Sequence, residues 1–366
     1  MKRRKFLQHA GGVVASSAIV ASVCSPAIAK GVKEMTIVST WPRDFPGIGI
    51  SAQRFASRVT ELSEGRIKTT YYAAGEKVGA FDVFDDVAAG NSQAYSSAEY
   101  YWKGKNPALA FFTTVPFGMT VTERNAWLKF GGGQELWDEL SDQFGLKALP
   151  CGATGTQMGG WFNKEILTVD DLKGLKMRIP GLGGDVMAKL GASPVSLPGN
   201  QIFENLMSGA IDATEWIGPY NDYFMKFYEA AKFYYWSGMH EPSSMLSLGM
   251  NKKWWSSLSK WEQNIITAAA MEENASQYEE AQAKNGKYLA KMINENGIIL
   301  KSFDDDIYDA LAEAATEVIE EVRDYNAFSK KVHDHFFTAL KKIGSWQNIS
   351  EIAYSVQRNR ILGLQL

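Results

Sequence analysis

The stretch Asp212-Ala213-Thr214-Glu215-Trp216-Ile217-Gly218-Pro219-Tyr220 carries the main structural signal of this chain. A carboxylate and an indole stand side by side at the end of a short apolar run, and a Gly-Pro break follows them. In an open α/β sheet, ligands bind outside the carboxyl ends of the strands. Because a carboxylate is a hard oxygen ligand and an indole is a flat apolar wall, the pair predicts a site for a small polar anion held with a cation.

Short β-branched runs alternate with segments of helical spacing, which predicts an α/β fold with mostly parallel sheets and helices on both faces. Before residue 121 the pattern predicts strands at 35–39, 66–72 and 93–97, with helices at 48–62 and 81–89. One helix is predicted over 122–144. A second α/β unit follows it, with strands that include 175–179, 211–216 and 245–251. Two long amphipathic helices are predicted last, over 263–294 and from about 305 to 322, with 343 as an alternative end of the second.

The first 29 residues have the features of an export signal. Arg3-Arg4-Lys5-Phe6-Leu7 is a twin-arginine pattern, an apolar stretch of small residues runs from Ala10 to Val23, and Ala27-Ile28-Ala29 fits an A-x-A cleavage site. The alternative is a basic N-terminus that precedes a first core helix. We expect cleavage after Ala29 and a location in the periplasm.

The net charge of the chain limits which kinds of partner it can bind. The first 29 residues carry four basic and no acidic side chains, so their removal changes the formal net charge from −3 to about −7. That balance argues against nucleic acid as a partner, because nucleic-acid binding needs clustered positive charge. Of the two cysteines only Cys151 would remain, which predicts no intrachain disulfide. No later run is apolar enough for a membrane helix, so we expect a soluble exported protein.

Few sequence motifs point to catalysis. The sequence has no H-E-x-x-H, C-x-x-C, G-x-S-x-G or P-loop motif. His333 and His335 are two apart on a predicted helix and therefore face different directions. Residues 47–52 fit G-x-G-x-x-A, the loose form of a dinucleotide fingerprint, but residues 41–46 intrude where the turn should be tight. We interpret this segment as a first-lobe loop near the mouth of a cleft.

Several residues are candidates for a binding site, each with a structural alternative. Arg178 could fork onto a carboxylate with two hydrogen bonds, or form a structural ion pair. Gln157 could bind a metal or a substrate, or be a polar residue beside a turn. Tyr100 and Tyr101 could line a cleft or belong to the core, and Glu215 could be a buried salt-bridge partner.

These segments together resemble the substrate-binding subunit of tripartite ATP-independent periplasmic (TRAP) transporters. The resemblance extends over essentially the whole mature chain, and its most specific part is Leu-Lys-Met-Arg followed at a distance by Asp-Ala-x-Glu. Within the family, the chain is similar to the branch that binds 2-oxo or 2-hydroxy acids such as pyruvate and lactate. The segments that carry this second likeness are Tyr100-Tyr101-Trp102, Thr154-Gly155-Thr156-Gln157-Met158-Gly159-Gly160-Trp161-Phe162 and Ala213-Thr214-Glu215-Trp216-Ile217-Gly218-Pro219-Tyr220.

The resemblance implies a role for each candidate. Arg178 would hold the substrate carboxylate, and Tyr101 and Tyr100 would bond the substrate from the other lobe. Gln157, Glu215 and the backbone carbonyl of Trp216 would ligate a sodium or calcium ion bound with the substrate. No organic cofactor and no catalysis are expected, and the implied partner is a TRAP membrane permease.

The resemblance also implies a two-lobe periplasmic solute-binding fold with a hinge and long C-terminal helices. We expect lobe I to comprise 30–155 and about 242–282, lobe II to comprise 156–241 and about 283–343, and 344–366 to form a helical tail. The branch can form swapped homodimers through its C-terminal helices.

Two other functions fit the same export signal. One is a periplasmic enzyme that the twin-arginine route exports folded with its cofactor. The other is a sensing module that presents the same ligand to a membrane partner.

Overall fold

The structure is a computed structural model that describes residues 31–364. The predicted export signal and its cleavage site lie outside these residues. The strands are β1 (Lys33–Ser39), β2 (Ile67–Tyr72), β3 (Ala94–Ser97), β4 (Leu146–Ala153), β5 (Gly160–Phe162), β6 (Lys176–Arg178), β7 (Ser193–Val195), β8 (Ala213–Thr214), β9 (Phe233–Trp236), β10 (Met245–Asn251) and β11 (Ile299–Ser302). The α-helices are α1 (Ile48–Leu62), α2 (Val83–Ala88), α3 (Val121–Phe130), α4 (Gly133–Asp142), α5 (Gly181–Lys189), α6 (Gly199–Ser208), α7 (Pro219–Met225), α8 (Lys252–Ser257), α9 (Lys260–Asn296), α10 (Asp305–Asp324), α11 (Ala327–Ile349) and α12 (Glu351–Leu362).

The strands form two sheets, which define a first and a second lobe. The first sheet has the order β2-β1-β3-β10-β4, and the second has the order β11-β9-β5-β8-β6-β7. Both sheets are mixed, because β10 runs antiparallel to β3 and β4, and β5 runs antiparallel to β8 and β9. Apart from these two reversed strands, the strands of each sheet run in one direction, four of five in the first sheet and five of six in the second, so the predicted α/β class with mostly parallel sheets is confirmed.

The reversed strands have a simple topological cause. Strand β5 follows β4 of the other sheet, and β10 follows β9 of the other sheet, so each is the first strand after the chain has changed lobes. Strands β4 and β9 end at the side of their sheet that faces the other lobe. The next strand, β5 or β10, starts at the facing side of the other sheet and runs away from the crossing. It is therefore antiparallel to the strands that end on that side.

Three segments connect the lobes. Residues 154–159 and 237–244 lie beside each other, since Gly238 N–H donates to Gln157 O at 2.8 Å and Gln157 N–H donates to Glu241 O at 3.1 Å. The third is the 37-residue helix α9. Near its middle it is tied to both lobes, because Glu280 accepts from Arg54 of α1 at 3.0 Å and from the hydroxyl of Tyr220 of α7 at 3.1 Å.

One predicted helix is broken, and the last long helix has the shorter of its two expected lengths. The helix expected over 122–144 ends at Phe130, and α4 starts at Gly133, because Gly132 adopts φ 86° and cannot continue a helix. Helix α10 ends at Asp324, two residues beyond the predicted end at 322, and the side chain of Asn326 accepts from Ser329 N–H at 2.8 Å to begin α11.

Helix α11 differs from the predicted lobe assignment. It was expected with the second lobe up to residue 343, but its aromatic face packs on the first lobe. The Phe336 ring lies 5.2 Å from the rings of both Phe111 and Trp127, and Trp127 Nε1 donates to His335 Nδ1 at 2.9 Å. Burial of these rings decides the position of α11. The other lobe boundaries remain a prediction.

The described residues include no helix with the length and apolar character that crossing a membrane requires. Cys151 lies buried in β4 as a free thiol.

Candidate functional site

The site begins where two parallel strands end together. Arg178 is the last residue of β6, and Glu215 directly follows β8. The strands are paired so that Arg178 lies opposite Thr214, and Glu215 N–H donates to Arg178 O at 3.2 Å. The register therefore sets the guanidinium and the carboxylate side by side at the carboxyl edge of the second sheet, where α/β proteins bind ligands.

Arg178 is buried and paired with Glu215. Its Nη1 donates to the carboxylate Oε1 of Glu215 and, at 3.3 Å, to the backbone oxygen of the same residue, while Nε donates to Leu197 O at 3.2 Å. Burial is the largest single influence on the pKa of Arg178 and works to lower it, but Glu215, Tyr101, Tyr100 and Glu241 together outweigh burial and the pKa is raised. The ion pair that we weighed as the structural alternative is therefore present. Nη2 makes a long contact, 3.5 Å, to the hydroxyl of Tyr101.

Asp222 stabilises the loop that carries Glu215 and Trp216 through three hydrogen bonds. Its carboxylate accepts from Ile217 N–H at 3.1 Å, from Trp161 Nε1 at 3.0 Å and from the Tyr234 hydroxyl at 2.8 Å. Burial raises the pKa of Asp222 to about 7. Sequence reasoning did not identify Asp222 as a positioning residue.

Gln157 and Glu241 enter the site from the two crossing segments. Gln157 Nε2 donates to Glu241 Oε2 at 2.6 Å and to Thr154 Oγ1 at 3.2 Å, and the Ser244 hydroxyl donates to the same carboxylate oxygen. Burial, reinforced by the charge of Glu215, raises the pKa of Glu241 to about 7. Sequence reasoning missed Glu241, because it lies in the segment between two strands and does not directly follow a strand, as Glu215 does.

The first lobe supplies an aromatic wall. Tyr100 and Tyr101 lie in the 3₁₀ turn Glu99–Trp102, with ring centroids 4.7 Å apart, and the ring of Trp41 lies 6.3 Å from that of Tyr101. Burial raises the pKa of Tyr101, so its hydroxyl stays protonated at neutral pH. This wall is neutral where it faces Arg178.

These residues enclose one small cavity between the lobes. The volume open to the centre of a water-sized sphere is about 20 Å³, which is on the order of one or two waters. The lining residues are Trp41, Ile48, Tyr100, Tyr101, Thr154, Gln157, Arg178, Trp216, Ile217, Ser244 and Leu246. Five of the six predicted site residues line it, and the sixth, Glu215, is bonded to Arg178. The structure therefore brings the predicted residues together, while their roles toward a ligand remain a prediction.

The donor atoms fit a hard cation. Gln157 Oε1 and Glu215 Oε2 are buried and have no hydrogen-bond partner among the described residues. An unpaired buried oxygen is costly, and a cation that prefers amide and carboxylate oxygens would satisfy both atoms. The Trp216 carbonyl, the third predicted ligand, accepts none of the hydrogen bonds formed within 31–364.

A second set of ligand-type atoms overlaps with the first. One atom from each of Glu215, His240 and Glu241 lies within 4.8 Å of the other two, and all three residues are buried. His240 Nε2 is 3.4 Å from Glu215 Oε2, yet neither atom completes a hydrogen bond within the described part of the chain. Glu241 and His240 are thus further neighbours of the place where a cation fits.

Comparison with known proteins gives the family. Residues 37–326 match DctP, the bacterial extracellular solute-binding proteins of family 7. The chain belongs to this family. It is 38% identical over 358 residues to the monocarboxylate 2-oxoacid-binding periplasmic protein of Nostoc sp. strain PCC 7120, which covers 97% of this chain and 98% of that protein.

Solved structures agree with this assignment. Two TRAP periplasmic solute-binding proteins are each 38% identical, one from Pseudoalteromonas atlantica with bound sodium and pyruvate, the other from Colwellia psychrerythraea with bound calcium and pyruvate. They match with TM-scores of 0.85 and 0.86, covering 88% and 89% of this chain and 98% and 99% of theirs. A third, from Bordetella bronchiseptica, is 31% identical with TM-score 0.89 over 91% of this chain and 99% of its own. It is a mixed-occupancy dimer with copurified calcium and picolinate.

The predicted resemblance to TRAP solute-binding subunits is therefore confirmed, and so is the two-lobe solute-binding fold. The family is one of solute-binding proteins, not of enzymes, and of proteins that work outside the cytoplasm.

Proposed function

We propose that this family member binds a small 2-oxo or 2-hydroxy monocarboxylate, such as pyruvate or lactate, together with a sodium or calcium ion. The observation that carries the proposal is a buried arginine at the cavity together with two buried oxygens that have no hydrogen-bond partner among the described residues. These are Oε1 of Gln157, which lines the cavity, and Oε2 of Glu215, which is bonded to Arg178. The 2-oxoacid-binding relative and the pyruvate-bound structures support it.

Charge explains why an ion is needed. The carboxylate of Glu215 lies against Arg178, so it repels any anion that approaches the guanidinium. A cation held by Gln157, Glu215 and the Trp216 carbonyl would offset that repulsion and accept the two oxygens that a 2-oxo acid presents. Arg178 would hold the ligand carboxylate, and the hydroxyls of Tyr101 and Tyr100 would contact it from the first lobe.

The proposed ligand is delivered, not converted. We infer that the loaded receptor hands its solute to a TRAP membrane permease, as expected for a member of this family, and that it catalyses nothing. Export by the twin-arginine route with cleavage after Ala29 is part of the same proposal.

We also propose a homodimer through the C-terminal helices. Helix α12 has no buried residue, and the mixed-occupancy dimer of the Bordetella bronchiseptica relative supports the idea. Large apolar side chains left exposed in this number on one terminal segment favour an interaction surface. The exposed apolar side chains of α11 and α12 are Trp346, Ile349, Ile352, Tyr354, Val356, Ile361 and Leu362.

Isothermal titration calorimetry of the mature protein tests the ligand. Pyruvate, lactate or 2-oxobutyrate should bind with a Kd in the micromolar range or tighter, roughly −8 kcal/mol. Propionate has the carboxylate but no oxygen at carbon 2, so it should bind at least about 100-fold more weakly. Sodium-free, chelator-treated buffer should weaken pyruvate binding. Equal affinity for pyruvate and propionate would contradict the chelated-cation arrangement.

Sedimentation velocity tests the dimer. A chain that ends at residue 350 lacks α12 and should be a monomer with unchanged pyruvate affinity. A full-length protein that sediments as a monomer at micromolar concentration would exclude the dimer.

A further inference from the structure

The first-lobe loop 41–47 reaches across to the second lobe beside the cavity. The ring of Phe45 meets that of Trp216 edge-on, with centroids 6.2 Å apart at 83°. Next to it, Asn221 Nδ2 of α7 donates to Pro46 O at 2.6 Å. The loop also carries Trp41, which lines the cavity. These two contacts hold the first-lobe loop against the residues that follow Glu215.

The glycine pattern 47–52 explains why the contact is so close. Gly47 adopts φ 80°, and a Cβ at this position would overlap with the side-chain amide of Asn221. A Cβ at Gly49 would overlap with the backbone oxygen of Pro42, so the loop could not turn as tightly. The glycines that resemble a dinucleotide fingerprint therefore serve the approach of two lobes.

Asn221 is placed to act without touching the ligand. It is buried, but it is not among the residues that line the cavity. Another contact between the lobes joins Lys103 and Asp185, whose side chains are 31% and 44% exposed, and ion pairs that water screens to this degree contribute little. A hydrogen bond from a buried donor that forms only when the lobes meet shifts the equilibrium toward the closed state.

We propose that Asn221 is a positioning residue that sets how long the closed lobes retain a ligand. Its hydrogen bond to Pro46 O, which Gly47 permits, fastens the loop 41–47 over the cavity. The inference rests on the proposed function for its kinetic consequence, but the contact itself is independent of the ligand. Loss of the bond speeds opening, so it raises the dissociation rate constant and leaves association and the choice of ligand nearly unchanged.

Stopped-flow tryptophan fluorescence with pyruvate and sodium tests the kinetic part. Asn221→Ala should raise the dissociation rate constant about five- to tenfold, as expected for one lost hydrogen bond. The association rate constant and the ratio of pyruvate to 2-oxobutyrate affinity should stay within twofold. Asn205→Ala is the matched control, because Asn205 Nδ2 also donates to a backbone oxygen, Gln201 O at 2.7 Å, but within α6.

Hydrogen exchange of the ligand-free protein tests the contact on its own. The amides of residues 41–50 should exchange faster in Asn221→Ala and in Gly47→Ala than in wild type. In Asn205→Ala their exchange rates should equal those of wild type. Should Asn221→Ala fail to fold, Asn221→Asp keeps the size of the side chain without an amide donor. Unchanged exchange and an unchanged dissociation rate in a folded Asn221 variant would overturn the proposal. Wild-type protein that binds none of these acids would refute the proposed function, while the exchange result would still decide the role of Asn221.

Discussion

The two sides of the cavity differ in kind. The second lobe presents charge, with Arg178 and Glu215 paired and buried at the ends of adjacent strands. The first lobe presents Trp41, Tyr100 and Tyr101, which are aromatic and neutral. Charged side chains are costly to desolvate, so they bind favourably only an ion of matching charge. Aromatic side chains pack against many small solutes equally well and therefore select little among them. Recognition is therefore concentrated in one lobe, and the other lobe supplies closure.

The largest effect should come from the charged wall. Arg178→Ala removes the carboxylate partner and leaves Glu215 buried without its counter-charge. Pyruvate affinity should fall at least about 100-fold, and the free energy of unfolding should fall by about 3–5 kcal/mol. Calorimetry and urea denaturation measure the two effects. Arg178→Lys keeps the charge but loses the planar fork, so it should recover stability better than affinity. Affinity that survives in Arg178→Ala would remove this residue from the site.

A buried carboxyl beneath the aromatic wall gives the next effect. Burial raises the pKa of Glu99 to about 7 from 4.5, so the native state binds this proton more tightly than the unfolded state does. Stability should therefore decrease as pH rises from about 4.5 to 7, by about 3 kcal/mol from this group. Glu99→Gln should flatten the pH profile of urea unfolding, and the exposed Glu313→Gln should not. Identical profiles for wild type and Glu99→Gln would show that the carboxyl is already charged.

The cation part of the charged wall can be separated from the arginine part. Glu215→Gln keeps an oxygen toward Arg178 but loses the negative charge that attracts a cation. Pyruvate affinity should fall about 30-fold, or about 2 kcal/mol, and should depend less on sodium concentration. Calorimetry over a range of sodium concentrations measures both, with exposed Glu204→Gln as the control. A sodium dependence as steep as that of wild type would place the ion elsewhere.

The smallest effect should come from the aromatic wall. Tyr101→Phe removes a hydroxyl that is 3.5 Å from Arg178 Nη2 but keeps the ring that covers the cavity. Affinity should fall by about fivefold or less, which corresponds to about 1 kcal/mol. Exposed Tyr325→Phe is the control for the calorimetry. A loss as large as that of Arg178→Ala would mean that both lobes recognise the ligand.

Local signals predicted much of the fold. Helix α1 has the predicted bounds, Ile48–Leu62, because its apolar spacing is regular and it follows Gly47. The helix expected over 122–144 fails because three consecutive glycines, Gly131, Gly132 and Gly133, outweigh the apolar periodicity around them. Strand β8 is limited to Ala213–Thr214, shorter than the run 211–216, because pairing with β5 and β6 sets its length.

The site residues that directly follow a strand could be predicted from the sequence. Those that depend on the segments that cross between the lobes could not. Arg178 and Glu215 stand at strand ends, where a general rule of α/β sheets places ligands. Glu241 lies in the segment 237–244, and its contact with Gln157 depends on two crossings that run side by side. No spacing along the chain encodes that contact, and the same is true of Asn221 and Pro46.

Helix α9 determines what kind of motion the lobes can make. Its 37 residues extend about 55 Å without a break, and Arg54 and Tyr220, from different lobes, both bond to Glu280 near its middle. A continuous helix does not allow the lobes to rotate freely about one point. It bends instead, and the bend is distributed over several turns of the helix. Gly286 is the position where α9 bends most easily, because a glycine leaves the helix backbone more freedom. No packing requires a glycine there, since a Cβ would meet open space. Stiffening the helix at this position would leave every contact in the cavity intact and still change how widely the receptor opens.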